Sequence, residues 1–120
     1  MIKYVNKIWG GERWMVNEDL YCAKILELKH GFQCSLHYHV KKDETFYCLK
    51  GTIKLEIEKF IFTLATGQQK RIRPGERHRF TSITSEAEIL EVSTHHEDSD
   101  SYRIEIGGLI AEGINEIRKA

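Results

Sequence analysis

The chain has 120 residues, and its 18 basic and 18 acidic side chains balance to a formal net charge of zero. That balance gives no bulk electrostatic pull toward nucleic acid or a membrane surface. No apolar run reaches the roughly 20 residues of a membrane span. Hydrophobic residues make up 41%, enough for a core, and one domain over residues 1–120 is expected.

The N-terminal stretch MIKYVNKIWGGERW lacks a continuous apolar signal core, so secretion is not indicated. The three cysteines, Cys22, Cys34 and Cys48, are odd in number and form no CxxC. Free thiols in a reducing cytoplasm are therefore expected. From residue 12 onward, β-branched and aromatic residues alternate with turn signals, which predicts strands at 12–17, 20–29, 33–39, 44–50, 52–58, 60–65, 69–73, 78–83, 87–93 and 101–106. The turns fall at Gly10-Gly11, His30-Gly31, Lys50-Gly51, Thr66-Gly67 and Pro74-Gly75. This short, regular spacing suits an antiparallel sandwich or barrel. The link between 52–58 and 60–65 has no glycine or asparagine, which leaves that hairpin open to a one-residue slip. At the end of the chain, Ile110, Ile114 and Ile117 fall on one helical face, predicting a short C-terminal helix over 109–119.

The stretch GFQCSLHYHVKKDETFYCLKG (31–51) concentrates the chemistry. His37 and His39 lie two residues apart on a strand, so they share a face. A strand rise of about 3.3 Å per residue puts them about 6–7 Å apart at Cα, close enough to lean onto one ion. Glu44 opens the next strand after a turn. Two imidazoles and a carboxylate suit a first-row divalent metal. Cys34 and Cys48 flank the group, but a free cysteine is more often a small buried hydrophobe than a ligand. For a fourth ligand the candidates are His30, His78, His95 and His96. His78 has the favourable strand–turn–strand placement, His30 sits in a turn, and the adjacent His95 and His96 face opposite ways.

Gly31, five residues, His37-x-His39, four residues, Glu44, six residues, Gly51 resembles the first motif of the cupin family throughout. Gly67, five residues, Arg73-x-Gly75-x-x-His78, on to Ser82, resembles the second. Arg73 stands where that family usually has proline, and Ser82 where asparagine is common. The resemblance implies an all-β double-stranded β-helix, or jelly roll, with His37, His39, Glu44 and His78 as ligands of one divalent transition metal. It does not choose among Zn, Mn, Fe, Ni and Co.

A looser resemblance covers most of the chain. KIWGGERWMVNE (7–18), Lys24 in its strand, and EILEVSTHHEDSDSYRIE (88–105) are similar to the cupin domain of type II mannose-6-phosphate isomerases and related sugar-isomerase cupins. It implies a metal-dependent sugar or sugar-phosphate isomerase or epimerase working through a metal-stabilised enediolate. A divalent ion polarises both substrate oxygens, and a side chain moves the proton. Glu91, in the apolar strand ILEVS, and Lys24, in CAKILEL, are the candidate proton carriers, since a charge there costs free energy unless used or paired. Tyr38 and Tyr47 are candidate sugar contacts. Arg71 and Arg73 are candidate phosphate contacts, set against a solvated edge strand as the simpler role. The acidic EDSD (97–100) reads most simply as a solvated loop. A metal-dependent dioxygenase, favoured by an apolar cavity, and a non-catalytic sugar-binding cupin are the alternatives. Apolar residues on both faces of ETFYCLKG (44–51) point to a homodimer through the outer sheet.

Overall fold

A computed structural model of the chain describes residues 1–110. The strands, in chain order, are β1 (Lys3–Lys7), β2 (Gly10–Asn17), β3 (Cys22–Lys29), β4 (Phe32–Gln33), β5 (Leu36–Tyr38), β6 (Glu44–Lys50), β7 (Thr52–Ile57), β8 (Phe60–Ala65), β9 (Gln69–Ile72), β10 (His78–Ser82), β11 (Glu86–Ser93), β12 (Tyr102–Glu105) and β13 (Gly108–Leu109). One turn of 3-10 helix, Asp98–Asp100, interrupts them. The first sheet runs β1-β2-β3-β11-β6-β9. In the second, β10 pairs with β7 along one side and with β4 and β5 along the other, β8 extends β7, and β12 and β13 flank β5 and β4. Every pairing is antiparallel. The two sheets make the jelly roll that the motifs imply.

Alternation decides which way each strand faces. Burial along β3, β7 and β11 follows the two-residue period, with Leu26, Leu28, Ile53, Leu55, Ile57, Ala87 and Ile89 turned inward. Burying a side chain of the leucine or isoleucine kind stabilises by about 1.5–3 kcal/mol. β10 is buried along its whole length, since it is paired on both sides at the middle of its sheet.

The register sorts the interior of the first sheet into rungs. Glu12, Leu26, Ile89 and Cys48 form one rung; Trp14, Lys24, Glu91 and Phe46 form the next; Asn17, Cys22, Ser93, Glu44 and Ile72 form another. The apolar core with Phe80 and Trp9 fills one end of the barrel, and charged groups gather toward the other.

Several expectations are refined. β1 lies ahead of the first predicted strand and pairs along β2 from Lys3–Trp14 to Lys7–Gly10. The strand predicted over 33–39 is broken into β4 and β5, with His39 just beyond β5. The hairpin without glycine is in register, Ile57 opposite Phe60, with Glu58 at φ 54. Glu58 is tied to Arg77, its N–H donating to the Arg77 carbonyl at 2.8 Å and its carboxylate accepting the Arg77 N–H at 3.0 Å. Those bonds offset the cost of a left-handed non-glycine residue. Gly51, at φ 72, could not carry a side chain: a Cβ there would collide with the Glu86 carbonyl and the Thr84 hydroxyl. The helix predicted over 109–119 begins at Leu109, which instead pairs with Phe32 in β13, and residues 111–119 lie outside the described residues.

Candidate metal centre and the cavity around it

His37, on β5, sits opposite His78, the first residue of β10. The turn after His39 returns the chain to Glu44, and Gly75 fastens the second motif to the first by donating its N–H to the His39 carbonyl at 2.6 Å. One ligand nitrogen from each of His37, His39 and His78 falls within 4.8 Å of the others. The Glu44 Oε2 atom lies 3.3 Å from Nε2 of His39 and 3.2 Å from Nε2 of His78. His78 and Glu44 are 0% and 2% exposed, so nothing in that contact is solvated.

The far side of each ring fixes its tautomer. Nδ1 of His37 donates to the Ser35 carbonyl at 2.7 Å, Nδ1 of His39 to the Asp100 carbonyl at 3.0 Å, and Nδ1 of His78 to the Glu76 carbonyl at 2.9 Å. A carbonyl only accepts, so each proton is on Nδ1 and each Nε2 offers a lone pair. Such bonds orient histidine ligands of a metal. Glu44 Oε2 and His78 Nε2 are buried and complete no hydrogen bond. Two acceptors facing each other at 3.2 Å repel unless a metal ion or a proton lies between them. This donor set of imidazole nitrogens and one carboxylate fits a divalent transition metal.

The ligands titrate differently from one another. Burial pushes His37 down to about 3, keeping it neutral. Burial also acts against charge on His78, but the Glu44 carboxylate outweighs it and raises His78. Burial opposes ionisation of Glu44, yet Lys42, His39 and His78 hold it well below the usual carboxylate range. Cys34 is pushed up to about 12 by burial, and its sulfur accepts the Phe80 N–H at 3.3 Å. Cys48 points toward the Lys50 and Gly51 carbonyls. Neither sulfur joins the histidine group.

The centre opens into a cavity of about 720 Å³. Its lining mixes the apolar Phe46, Phe80, Trp9 and Leu26 with the polar Glu12, Lys24, Lys42, Glu91 and His96. Lys42 donates to Glu91 Oε2 at 3.1 Å and to His96 Nδ1 at 3.0 Å, and lies 3.8 Å from Glu44 Oε1. His96 in turn donates through Nε2 to Asp98 at 2.8 Å. Ser93 donates to Glu91 Oε2 at 2.9 Å. Burial pushes the Glu91 carboxyl up, and the Lys42 ammonium more than offsets this, holding it below the ordinary range. Burial likewise pulls Lys42 down, and Glu91 and Glu44 more than restore it.

Of the candidates named from sequence, His37, His39, Glu44 and His78 are brought together, and Glu91 and Lys24 both face the cavity. Four others lie elsewhere. Tyr38 stacks on Tyr102 with ring centroids 5.1 Å apart, and Tyr47 is partly exposed on the outer face of β6. Arg71 pairs with Asp43 at 2.6 Å, and Arg73 is exposed beyond β9; neither lines the cavity. The other histidines are also accounted for: His30 and His95 bond to the carbonyls of Thr84 and Glu18.

The acidic loop is corrected. Asp100 is buried, and its carboxylate accepts the backbone N–H groups of Val40, Lys41 and Lys42 at 2.9–3.2 Å. Sequence reasoning missed Asp100, Lys42 and Trp14. Lys42 and Asp100 carry no periodic signal, since both lie outside the strands.

The cupin domain family matches residues 24–93, and the chain belongs to that family. Mannose-1-phosphate guanylyltransferase from Sinorhizobium fredii is 35% identical over 87 residues, which is 72% of this chain and 17% of that protein. The chain thus spans about a sixth of the length of that curated relative. Among solved structures, oxalate decarboxylase from Bacillus subtilis superposes with a TM-score of 0.77 at 20% identity, covering 85% of this chain and 30% of that one. KdgF from Halomonas sp. gives 0.69 at 15% identity, covering 74% and 81%. These two likenesses are of fold. Mn(II) centres are described for the oxalate decarboxylase.

Proposed function

We propose that the chain is a metal-dependent isomerase or epimerase of a sugar or sugar phosphate, with Glu91 as its proton carrier. The observation that carries this reading is the placement of a buried, ionised carboxylate on the cavity wall, one rung from Glu44 and joined to it through Lys42. His37, His39, Glu44 and His78 would hold a divalent ion, which supplies Lewis acidity to the substrate's carbonyl and hydroxyl oxygens. Glu91 takes the proton from the carbon bearing the hydroxyl and returns it to the former carbonyl carbon. The hydroxyl proton passes between the two oxygens, so no atom is gained or lost. Lys42 positions Glu91 and keeps it ionised. Lys24 lies between the Glu12 carboxylate and the Trp14 ring as a cation, which makes it a weaker candidate for the proton carrier than Glu91.

Glu91 and Lys42 beside the histidines support proton transfer, while the apolar lining of Trp9, Leu26, Phe46 and Phe80 suits a metal-dependent dioxygenase, the second reading. The curated relative's name, a mannose-1-phosphate guanylyltransferase, supports a sugar-phosphate setting. Three buried free thiols support a cytoplasmic location, and no helix among the described residues is long and apolar enough to cross a membrane. A homodimer through the outer face of the first sheet belongs to the same proposal.

The test is an aldose–ketose panel on metal-restored protein, with metal content measured in parallel for wild type and Glu91→Gln. Glu91→Gln is expected to keep its metal and lose at least about 100-fold in rate, the usual contribution of a general base. Undiminished isomerisation in that variant, or oxygen uptake in place of isomerisation in wild type, would refute the reading.

A further inference from the structure

We infer that the cavity takes a substrate bearing an anionic group, a phosphate or a carboxylate, which docks on Lys24 beside Trp14, away from the histidine centre. This deepens the isomerase reading and rests on it for one point only, that the substrate occupies this cavity.

Lys24 is 1% exposed, on the inner face of the first sheet, and lines the cavity. A buried ammonium is costly unless its donors are satisfied. Lys42, the other buried lysine there, satisfies its charge through Glu91 and His96. Lys24 does not. Its ion-pair partner, Oε1 of Glu12, is 3.5 Å away and already accepts the Trp14 indole N–H at 2.9 Å. Its other neighbour is the face of Trp14, with Nζ 3.9 Å from the ring centroid. A cation over an aromatic face is attracted but gains no hydrogen bond. The Lys24 donors therefore remain available to a ligand.

A second observation points the same way. Lys3 places its Nζ 3.9 Å from the same Trp14 centroid, so two ammonium groups share one ring. Lys7 and Arg103 also line the cavity, and among the described residues neither they nor Lys3 form an ion pair with a carboxylate. Arg103 is carried on β12 opposite His37, which puts it next to the metal centre. Five cationic side chains line the cavity against the carboxylates of Glu12, Glu44, Glu91 and Asp98. A divalent ion would add two more positive charges. Such a field favours an anion and disfavours a cation. The carboxylates are also engaged: Glu44 at the histidines, Glu91 with Lys42, Asp98 with His96, and Glu12 with Trp14.

The test is a low-salt calorimetric titration with inorganic phosphate and, separately, acetate, on metal-loaded and chelator-treated protein. Glucose serves as the neutral control. Phosphate or acetate binding is expected to persist after the metal is removed, and to weaken about tenfold in Lys24→Met, which keeps the packing of the aliphatic stem. Lys59→Met, an exposed turn residue far along the chain, is expected to leave it unchanged. Should Lys24→Met not fold, the exposed Lys3→Met decides, expected to weaken binding about threefold. Tighter phosphate binding assigns a phosphate ester, and tighter acetate binding a sugar acid; both fit the proposal. Anion binding that requires the metal, or that neither Lys24→Met nor Lys3→Met weakens, would overturn it, as would no anion binding at all. None of these arms reads turnover, so anion binding without isomerisation would refute the isomerase alone.

Discussion

The imidazole of His39 and the backbone of Asp100, 61 residues apart in sequence, are joined by a hydrogen bond of 3.0 Å from Nδ1 to the carbonyl. The Asp100 carboxylate meanwhile gathers the next three backbone N–H groups after His39. One residue thus sets both the tautomer of a ligand and the path of the turn that leads to Glu44. The metal centre is therefore built on a turn that the chain cannot hold by local interactions alone.

Asp100→Ala should leave those three N–H groups without their acceptor. A loss of about 2–4 kcal/mol is expected by denaturant titration, since each buried unsatisfied donor costs about 1–3 kcal/mol. The carbonyl that holds His39 is main chain and survives the substitution, so metal affinity should fall only through the loosened turn, by about tenfold, the lower end of what losing a partner that orients a ligand costs. Asp100→Asn, which keeps one acceptor oxygen, should fall between the two. A metal titration unchanged in Asp100→Ala would show that the Asp100 carbonyl stays on His39 without the carboxylate's hold on the turn.

The charge network predicts non-additivity. Lys42→Met leaves Glu91 and Glu44 buried without their shared cation, and about 3–5 kcal/mol should be lost. Adding Glu91→Gln removes one of the stranded charges, so the double variant should be more stable than Lys42→Met alone. Thermal or denaturant melts of the four proteins in the cycle measure the coupling. Additive losses would mean that Lys42 and Glu91 do not act as a pair.

Two histidines should give the chelator-treated protein opposite pH responses in separate windows. His78 is raised above 6.5, so its contribution is complete below that value and fades as pH rises through its folded pKa. His37 is lowered to about 3, so its contribution is complete above 6.5 and falls away as pH drops from 6.5 toward 3. Denaturant melts at pH 8, 6.5, 5 and 4 should show stability greatest near the middle. His37→Asn should flatten the acid side, and His78→Asn the alkaline side. An acid limb unaltered by His37→Asn would assign it to the carboxylates.

The outer face of the first sheet carries its own pattern. The register places Ile25, Leu90 and Tyr47 on one outward rung and Ala23, Val92 and Thr45 on the next, with Val92 51% exposed. A contiguous apolar stripe of this kind is a common protein contact. Sedimentation equilibrium should give twice the chain mass, and Leu90→Glu should shift the protein to monomer. A wild-type monomer at every concentration would remove the dimer from the proposal.

Much of this was legible in the sequence because it is periodic or fixed by spacing. β-Branched and aromatic residues between turn signals mark the strands, alternation puts His37 and His39 on one face, and the spacing of His37, His39, Glu44 and His78 around glycine turns marks the metal centre. Glu91 stands out because it is a charge within the apolar strand ILEVS, where it costs free energy unless used or paired. The C-terminal residues beyond 110 gave a helical pattern that lies outside the described residues.

What tertiary structure decided is which distant groups meet. Lys42 and Asp100 lie outside the strands, where no period says which way a side chain points; Lys42 meets Glu91 of β11, 49 residues on, and Asp100 meets the turn after His39, 58–60 residues back. Arg71 and Tyr47 showed the converse: strand pairing carried them to the outer face, where Asp43 and solvent receive them. Local sequence sets the face of each residue through backbone geometry. Only closure of the two sheets brings a lysine, a glutamate and three imidazoles into one buried volume, because pairing partners are selected by the register of the whole barrel and not by neighbours in the chain.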